Sequence, residues 1–154
     1  MPLTTMIAAG LAFAAPSPAK TEIIQAEAPV IAKILTDMGY KGLVSAGDDG
    51  TPSVESASSG AKFYVDMLNC DDNHKNCTTA QIYSGFTTTK KLTLDQVNTW
   101  NSKHRFARLY LDKDQDPWVE MDVNFEGGLP RANFEDSLGV WFALLSDVQA
   151  LANP

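Results

Sequence analysis

The chain has 154 residues, of which 44% are apolar and 20% are charged, and its formal net charge is −7. This length and composition are typical of one globular domain with a substantial apolar core. The acidic balance argues against a nucleic-acid-binding protein, which needs a basic patch for the phosphates, and against a protein that binds anionic membrane surfaces.

Residues 1–19 differ in composition from the rest of the chain. Residues 6–15 are an apolar run of small side chains, and the tripeptides 12–14 and 17–19 fit a signal-peptide cleavage site. The run is too short to span a bilayer, and no Lys or Arg precedes it. We expect residues 1–19 to be a signal-peptide-like leader and linker, and residues 20–154 to be a single domain. The alternative is that the apolar run is a helix of the fold.

The first helix of the domain is predicted over residues 29–38. Pro29 suits the first helical position, where its missing N–H has no partner to lose. Gly39 fits a left-handed C-terminal cap. The apolar side chains fall at helical spacing and form one stripe, namely Val30, Ile31, Ile34, Leu35 and Met38.

Four strands are predicted next, over residues 42–46, 53–57, 61–69 and 78–87. The Asp49-Gly50 pair predicts the turn of a hairpin between the first two strands. In the third strand Phe63, Val65 and Met67 alternate with more polar side chains, which is typical of a strand with one buried and one open face.

The two cysteines, Cys70 and Cys77, enclose the loop between the third and fourth strands. An even count at close spacing in an exported chain favours a disulfide, which would stabilise the fold by about 2.5 kcal/mol. Two free thiols are one alternative. A metal site formed with His74 is another, although zinc sites usually have four ligands and tighter cysteine spacing. We predict the disulfide and no metal.

A second helix is predicted over residues 93–103, followed by a hairpin of residues 106–111 and 118–125 and a long helix over residues 130–151. The helix at 93 begins with the capping-box pair Thr93 and Gln96. The long helix repeats apolar residues every three to four positions, and Gly139 in its middle costs about 1 kcal/mol relative to Ala, which suggests close packing there. Its apolar stripe is Phe134, Leu138, Trp141, Leu145 and Val148.

The hairpin has a predicted register in which alternate residues of both strands face the core. A slip by one residue would bury charged side chains, so the pattern specifies the pairing. The predicted pairs are Ala107 with Val123, Leu109 with Met121 and Leu111 with Val119 toward the core, and Arg108 with Asp122 and Tyr110 with Glu120 on the other side.

Residues 100–128 carry the pattern Trp-Asn, Arg-Phe-x-Arg-x-Tyr-Leu-Asp, an Asp-Pro turn, Glu-Met-Asp and a Gly-Gly turn. This pattern resembles the YbjN-type domain family, which is described as a family of bacterial sensory transduction regulators. The likeness extends more weakly over residues 28–148, and the family usually has Gly where this chain has Gln115. The matching residues are Trp100, Asn101, Arg105, Phe106, Arg108, Tyr110, Leu111, Asp112, Asp116, Pro117, Glu120, Met121, Asp122, Gly127 and Gly128.

The predicted element order is α-β-β-β-β-α-β-β-α. This order indicates an α+β fold in which helices pack on one face of an antiparallel sheet. The resemblance implies the same topology, because the YbjN-type domain is thought to be related to type III secretion chaperones. It also implies protein partners and homodimers, since such chaperones are commonly dimers that bind extended polypeptide.

The candidate functional site is the polar side of the hairpin, formed by Arg108, Tyr110, Trp118, Glu120 and Asp122. Asp112 is a further candidate for catalysis on this side. Two carboxylates at i and i+2 on a strand lie about 7 Å apart, which is compatible with acid–base or metal chemistry. Cross-strand ion pairing is the structural alternative, and Trp118 is equally compatible with core packing beneath the C-terminal helix or a loop. The sequence contains no G-x-S-x-G, H-E-x-x-H or phosphate-binding glycine loop. We therefore predict no enzymatic activity and no cofactor.

The same side chains suit a binding role. An aromatic–arginine patch of Arg108, Tyr110 and Trp118 is typical of protein interfaces, and a sheet edge can accept a strand from a partner. We predict a non-catalytic regulatory or chaperone-like module that binds a protein or peptide. We expect it to be periplasmic or secreted in bacteria, without membrane insertion after leader removal. The alternatives are a small-ligand carrier with an apolar cavity, and a hydrolase that uses Glu120, Asp122 and Arg108.

Overall fold

A computed structural model describes residues 21–153, so the predicted leader at residues 1–19 lies outside the described part of the chain. The described residues form three helices, α1 (Ala28–Asp37), α2 (Leu94–Lys103) and α3 (Arg131–Ala152). Their eight strands are β1 (Ile23–Ile24), β2 (Leu43–Ala46), β3 (Pro52–Ser58), β4 (Ala61–Leu68), β5 (Thr79–Gly85), β6 (Arg108–Leu111), β7 (Pro117–Asn124) and β8 (Leu129–Pro130).

Six strands build one antiparallel sheet in the order β2-β3-β4-β5-β7-β6, and β1 pairs with β8 in a separate ribbon. The helices α1 and α3 pack against this sheet, so the predicted α+β fold and element order are confirmed. The strands β1 and β8 were not predicted, because two residues show no periodicity that could reveal a strand. Within residues 21–153, no helix combines the length and the apolar character that crossing a membrane requires.

The apolar core lies between the sheet and the helices α1 and α3. Trp141 of α3 meets the ring of Phe63 on β4 edge to face, with ring centroids 6.0 Å apart. Alternate residues of the central strands point into this core, as the alternation of apolar and polar side chains predicts. We call this side of the sheet the covered face. The fully buried side chains of the core include Ile31, Leu35, Val54, Phe63, Val65, Ile82, Val119, Phe134, Leu138, Trp141 and Val148.

Local sequence signals set the ends of α1 and α2. Gly39 has a φ of +89°, and the N–H of Tyr40 donates to the carbonyl of Leu35 at 2.9 Å, which is the predicted left-handed cap. At the start of α2, Thr93 accepts the N–H of Gln96, and the Gln96 side chain accepts the N–H of Thr93. The predicted capping box is therefore confirmed.

Gly139 does not have the packing role that we predicted for it. It is exposed in the middle of α3, and a Cβ built on it would have no heavy atom within 4 Å. The prediction of close packing is wrong, because the buried stripe of α3 runs along the opposite side of the helix. That stripe contains the predicted residues Phe134, Leu138, Trp141, Leu145 and Val148.

Cys70 and Cys77 are joined by a disulfide that closes the loop between β4 and β5, as predicted. The two strands pair as far as Leu68 and Thr79, so the bridge lies directly beyond the end of their ladder. The disulfide uses both sulfur atoms, which leaves neither cysteine as a free thiol or as a metal ligand.

Candidate functional site

The other side of the six-stranded sheet carries the polar and aromatic side chains of the strands, and no helix of residues 21–153 covers it. We call this side the open face. Its members follow from the strand registers, because directly paired residues point to the same side of a sheet. The open face contains Glu55, Lys62, Tyr64, Asp66, Gln81, Tyr83, Arg108, Tyr110, Trp118, Glu120 and Asp122.

Three aromatic rings form a row across the open face. Tyr64 on β4 stacks on Tyr83 on β5 with ring centroids 5.5 Å apart, and Tyr83 stacks on Trp118 on β7 at 6.2 Å. The neighbouring planes are inclined by 25° and 26°, so each pair is close to parallel. The row therefore presents a continuous aromatic strip among side chains that are mostly polar.

Trp118 lies half-buried on the open face, so the alternative that it packs beneath the C-terminal helix is wrong. Its indole crosses Gly85, the residue directly opposite on β5, where an added Cβ would lie 2.6 Å from Trp118 Cε2. The indole Nε1 donates a hydrogen bond of 3.2 Å to Asp112 Oδ2. Gly85 thus makes room for the ring, and Asp112 orients it.

Glu120 is the centre of a hydrogen-bonded group on β6 and β7. Its carboxylate accepts a hydrogen bond from Arg108 Nε at 2.8 Å and one from the Tyr110 hydroxyl at 2.5 Å, and it also pairs with Arg108 Nη2. The side chain of Glu120 is 12% exposed, whereas that of Arg108 is 63% exposed. The carboxylate is therefore satisfied within the protein, while the arginine still faces solvent.

The pairing of β6 with β7 differs from the predicted register by two residues. Leu109 pairs with Val119, where we predicted Met121, and Arg108 pairs with Glu120, where we predicted Asp122. Each side chain nevertheless keeps its predicted face, because a shift by two residues preserves the alternation. The other predicted pairs are corrected as well, with Tyr110 opposite Trp118, Leu111 opposite Pro117, and Ala107 ahead of the β6 strand.

The turn between β6 and β7 explains this shift. Asp112 Oδ1 accepts the N–H groups of Asp114 and Asp116 at 2.9 and 2.8 Å, and the N–H of Asp112 donates to the Asp116 carbonyl at 3.0 Å. Gln115 closes the turn with a left-handed φ of +61°, which is the conformation that glycine adopts most readily. Since the turn is this short, the ladder begins closer to it than we predicted.

Asp122 lies apart from the group around Glu120. It is exposed and accepts a hydrogen bond of 2.9 Å from Gln81 Nε2, on the residue directly opposite on β5. No Lys or Arg of the described residues forms an ion pair with it. Glu120 is therefore bonded directly to Arg108, whereas Asp122 acts on the Arg108 guanidinium only through the longer-range attraction between their charges.

Two tyrosines of the open face, Tyr83 and Tyr110, are held in their neutral form. Burial, with the hydrogen bond to Glu120, raises the pKa of Tyr110 to about 12. Burial and the nearby Asp66 carboxylate raise the pKa of Tyr83 well above its usual value. The hydrogen bond to Glu120 also raises the pKa of the Arg108 guanidinium. At neutral pH both phenols are hydrogen-bond donors, and neither is a phenolate nucleophile.

A groove of about 490 Å³ lies away from this face, at the end of the sheet, between the cysteine loop and the start of α1. Its lining includes Ala28, Val44 and His74. Fully buried side chains such as Phe63 and Trp141 fill the centre of the space between the sheet and the helices, where a small-ligand carrier would need its cavity. A smaller cleft of about 230 Å³ lies at the margin of this space, between β7 and α3. Among residues 21–153, no group of three or more His, Cys, Asp or Glu residues is placed to hold a metal ion.

All five candidate residues lie on one face of the sheet, as the alternation along the strands predicts, and they have neighbours there that were not predicted. Tyr64, Asp66 and Tyr83 belong to the same surface and were not singled out. The alternation in their strands did place them opposite the core, which was a usable signal. Only the pairing of β5 with β7 brings Tyr83 beside Trp118, and that contact joins segments far apart in the chain.

The comparisons with known proteins identify a family. The model of the YbjN family, described as "Putative bacterial sensory transduction regulator", matches residues 28–151. No curated protein and no solved structure gives a significant match. The matched segment covers most of the chain, from the start of α1 to the last turn of α3. The chain therefore belongs to the YbjN family.

Proposed function

We propose that this protein is a non-catalytic regulator of the bacterial cell envelope that binds a protein partner through its open face. The family description supports a regulatory role. The observation that carries the proposal is the row of stacked rings Tyr64, Tyr83 and Trp118, flanked by the exposed Arg108. Tyr, Trp and Arg are the residues that contribute most to binding energy at protein interfaces.

The charges of the open face favour a basic segment in the partner. Glu120 is paired with Arg108, and Glu55 is paired with Lys62 at 3.1 Å, so these charges compensate one another. The direct partners of the other two carboxylates are neutral: Asp66 is bonded to Ser53 Oγ and to the Tyr83 hydroxyl, and Asp122 is bonded to Gln81 Nε2. These two carboxylates lie in one cross-strand row next to the aromatic row. A Lys or Arg of the partner could pair with them and stack on the aromatic rings.

The location in the cell envelope rests on two features. The disulfide between Cys70 and Cys77 would persist in the periplasm or outside the cell, whereas the cytosol keeps thiols reduced. The apolar run at residues 6–15 fits the central part of an export signal. Both features agree with a protein that works after export.

A capture experiment tests the proposed function. The domain would be incubated with a cell-envelope extract beside a variant that carries Arg108→Ala, Tyr110→Ala and Trp118→Ala. We expect the native domain to retain a partner that the variant loses. A partner held equally by both proteins would overturn the assignment of the open face.

A matched pair of charge reversals then tests the chemistry of the partner. Asp122→Lys changes the open face, and Asp72→Lys makes the same charge change in the cysteine loop, where Asp72 is exposed. With the captured partner purified, we expect Asp122→Lys to weaken binding about tenfold, which corresponds to about 1.4 kcal/mol, and Asp72→Lys to have no effect. Equal effects of the two variants would mean that only the net charge matters and would contradict a basic segment on the open face.

A further inference from the structure

The two edge strands of the six-stranded sheet differ in whether their outward-facing backbone N–H and C=O groups have hydrogen-bond partners among the described residues. At the β6 edge, the side chain of Asn101 in α2 bonds to both backbone groups of Leu109. Its Oδ1 accepts the Leu109 N–H at 2.9 Å, and its Nδ2 donates to the Leu109 carbonyl at 3.0 Å. The amide thus takes the place of a neighbouring strand, and it blocks the addition of another strand at this edge.

The β2 edge has no such protection among the described residues. All four residues of β2 are exposed, and its apolar side chains Leu43 and Val44 are 54% and 55% exposed. The strand contains no proline and no charge, which are the usual devices that keep an edge from pairing. An exposed apolar edge of this kind is a site of strand addition.

The hairpin geometry shows which groups of β2 are free. Just after β2, the N–H of Gly47 donates to the carbonyl of Thr51, which precedes β3, at 2.9 Å. Because bonding alternates along an antiparallel strand, the backbone groups of Ser45 and Leu43 also point toward β3. The backbone groups of Val44 and Ala46 therefore point away from the sheet. No hydrogen bond among residues 21–153 satisfies them from that side.

We propose that β2 of a second copy of this chain pairs with this edge in antiparallel orientation, which joins the two sheets into one. The charges at the ends of β2 favour this occupant. Lys41 precedes the strand, and Asp48 and Asp49 follow it. In an antiparallel pair, Lys41 of each copy lies beside the acidic turn of the other copy, so the strand is complementary to itself.

In the register that we propose, the twofold axis passes beside Ser45. A twofold axis perpendicular to the sheet keeps each side chain on its own face, so only residues of the same face can lie opposite one another. Ser45 then faces Ser45 of the second copy at the axis, and Val44 faces Ala46. The two Val44–Ala46 pairs exchange about four backbone hydrogen bonds.

The interface is short, and both copies carry a net charge of −7, so the dimer is weak and depends on concentration and salt. This inference is independent of the proposed function, because it rests on the backbone groups of the β2 edge and not on the aromatic row of the open face, and self-association is measured on the purified domain without a partner. Loss of partner binding at the open face and loss of self-association are therefore separable results.

Sedimentation equilibrium of the purified domain over a range of concentrations tests the proposal. We expect a reversible dimer that Ser45→Lys weakens at least tenfold, because two lysines would then face each other at the axis. Leu94→Lys, at an exposed position of α2, is the matched control and leaves the dimer unchanged. Lys41→Glu weakens the dimer, and adding Asp48→Lys restores it. A monomer at all concentrations, or a dimer indifferent to Ser45→Lys, would overturn the proposal.

Hydrogen exchange locates the contact. We expect exchange of the Val44 and Ala46 amides to slow as the concentration rises, whereas the Ser45 amide, which bonds within the hairpin, does not change. Protection of Val44 and Ala46 that is independent of concentration would mean that the same chain covers its own edge. That result would also overturn the pairing of two copies.

Discussion

The two faces of the six-stranded sheet are built from alternate residues of the same strands, yet they differ in burial, in polarity and in what packs against them. The covered face carries fully buried aliphatic and aromatic side chains that pack on Trp141 and Phe134 of α3. The open face carries stacked rings and charged groups that solvent still reaches. Substitutions on the covered face should therefore reduce stability, whereas substitutions on the open face should reduce binding.

The largest expected effect is that of truncating the core. Trp141→Ala removes a fully buried ring that packs on Phe63, and it should lower the free energy of unfolding by about 3–5 kcal/mol. Tyr64→Ala is the matched change on the open face and should cost about 1 kcal/mol or less, since it removes only a cross-strand stacking partner. Urea unfolding measures both values. Equal costs would mean that the open face is part of the core.

The disulfide should have the second-largest effect. Replacing Cys70 and Cys77 together by Ser should lower the free energy of unfolding by about 2.5 kcal/mol, because the closed loop limits the freedom of the unfolded chain. A reductant should destabilise the native protein by a similar amount and leave the double variant unaffected. If the reductant has no effect on the native protein, the bridge is not what stabilises this end of the sheet.

On the exposed side of α3 we expect a smaller effect, which is a gain of stability and not a loss. Gly139→Ala should raise the free energy of unfolding by about 0.5–1 kcal/mol, because the added methyl meets open space and alanine favours the helix. Thermal or urea unfolding measures the change. A loss of stability would show that something packs against Gly139, which would extend the covered side of the molecule.

The smallest effect concerns the open face at high pH. The pKa of Tyr110 is raised from 10.0 to about 12, so the fold favours the neutral phenol. The corresponding stabilisation is fully present below pH 10 and is lost as the pH rises through about 12. Tyr110→Phe should therefore lose less stability than the native protein over this range. Urea unfolding at several pH values measures the decline in each protein. An equal decline in both would contradict the raised pKa of Tyr110.

The contrast between the faces could be predicted from the sequence, but the details of the open face could not. Alternation along β4 and β7 separated core residues such as Phe63 and Val119 from the polar side. The register of β6 on β7 depended on the short turn that Asp112 organises, and a turn length cannot be read from alternation alone. The shift by two residues preserved the faces, which is why the candidate residues were right while their pairs were wrong.

The aromatic row shows a second limit of sequence reasoning. Tyr83 and Trp118 meet because β5 lies beside β7, although α2 and β6 separate the two strands in the chain. No local pattern reports such a pairing. Gly139 shows a further limit. The helix-propensity cost of a glycine is the same whether it faces another element or solvent, so this cost does not predict what lies beside it.

The central claim is that the open face binds a protein partner, and site-specific crosslinking in the cell envelope tests it most directly. A photoreactive amino acid at Tyr110 lies on the open face, and one at Leu94, which is 74% exposed on α2, lies outside it. We predict a crosslinked partner from position 110 and none from position 94. Crosslinking that is absent from position 110, or equal at both positions, would contradict the claim.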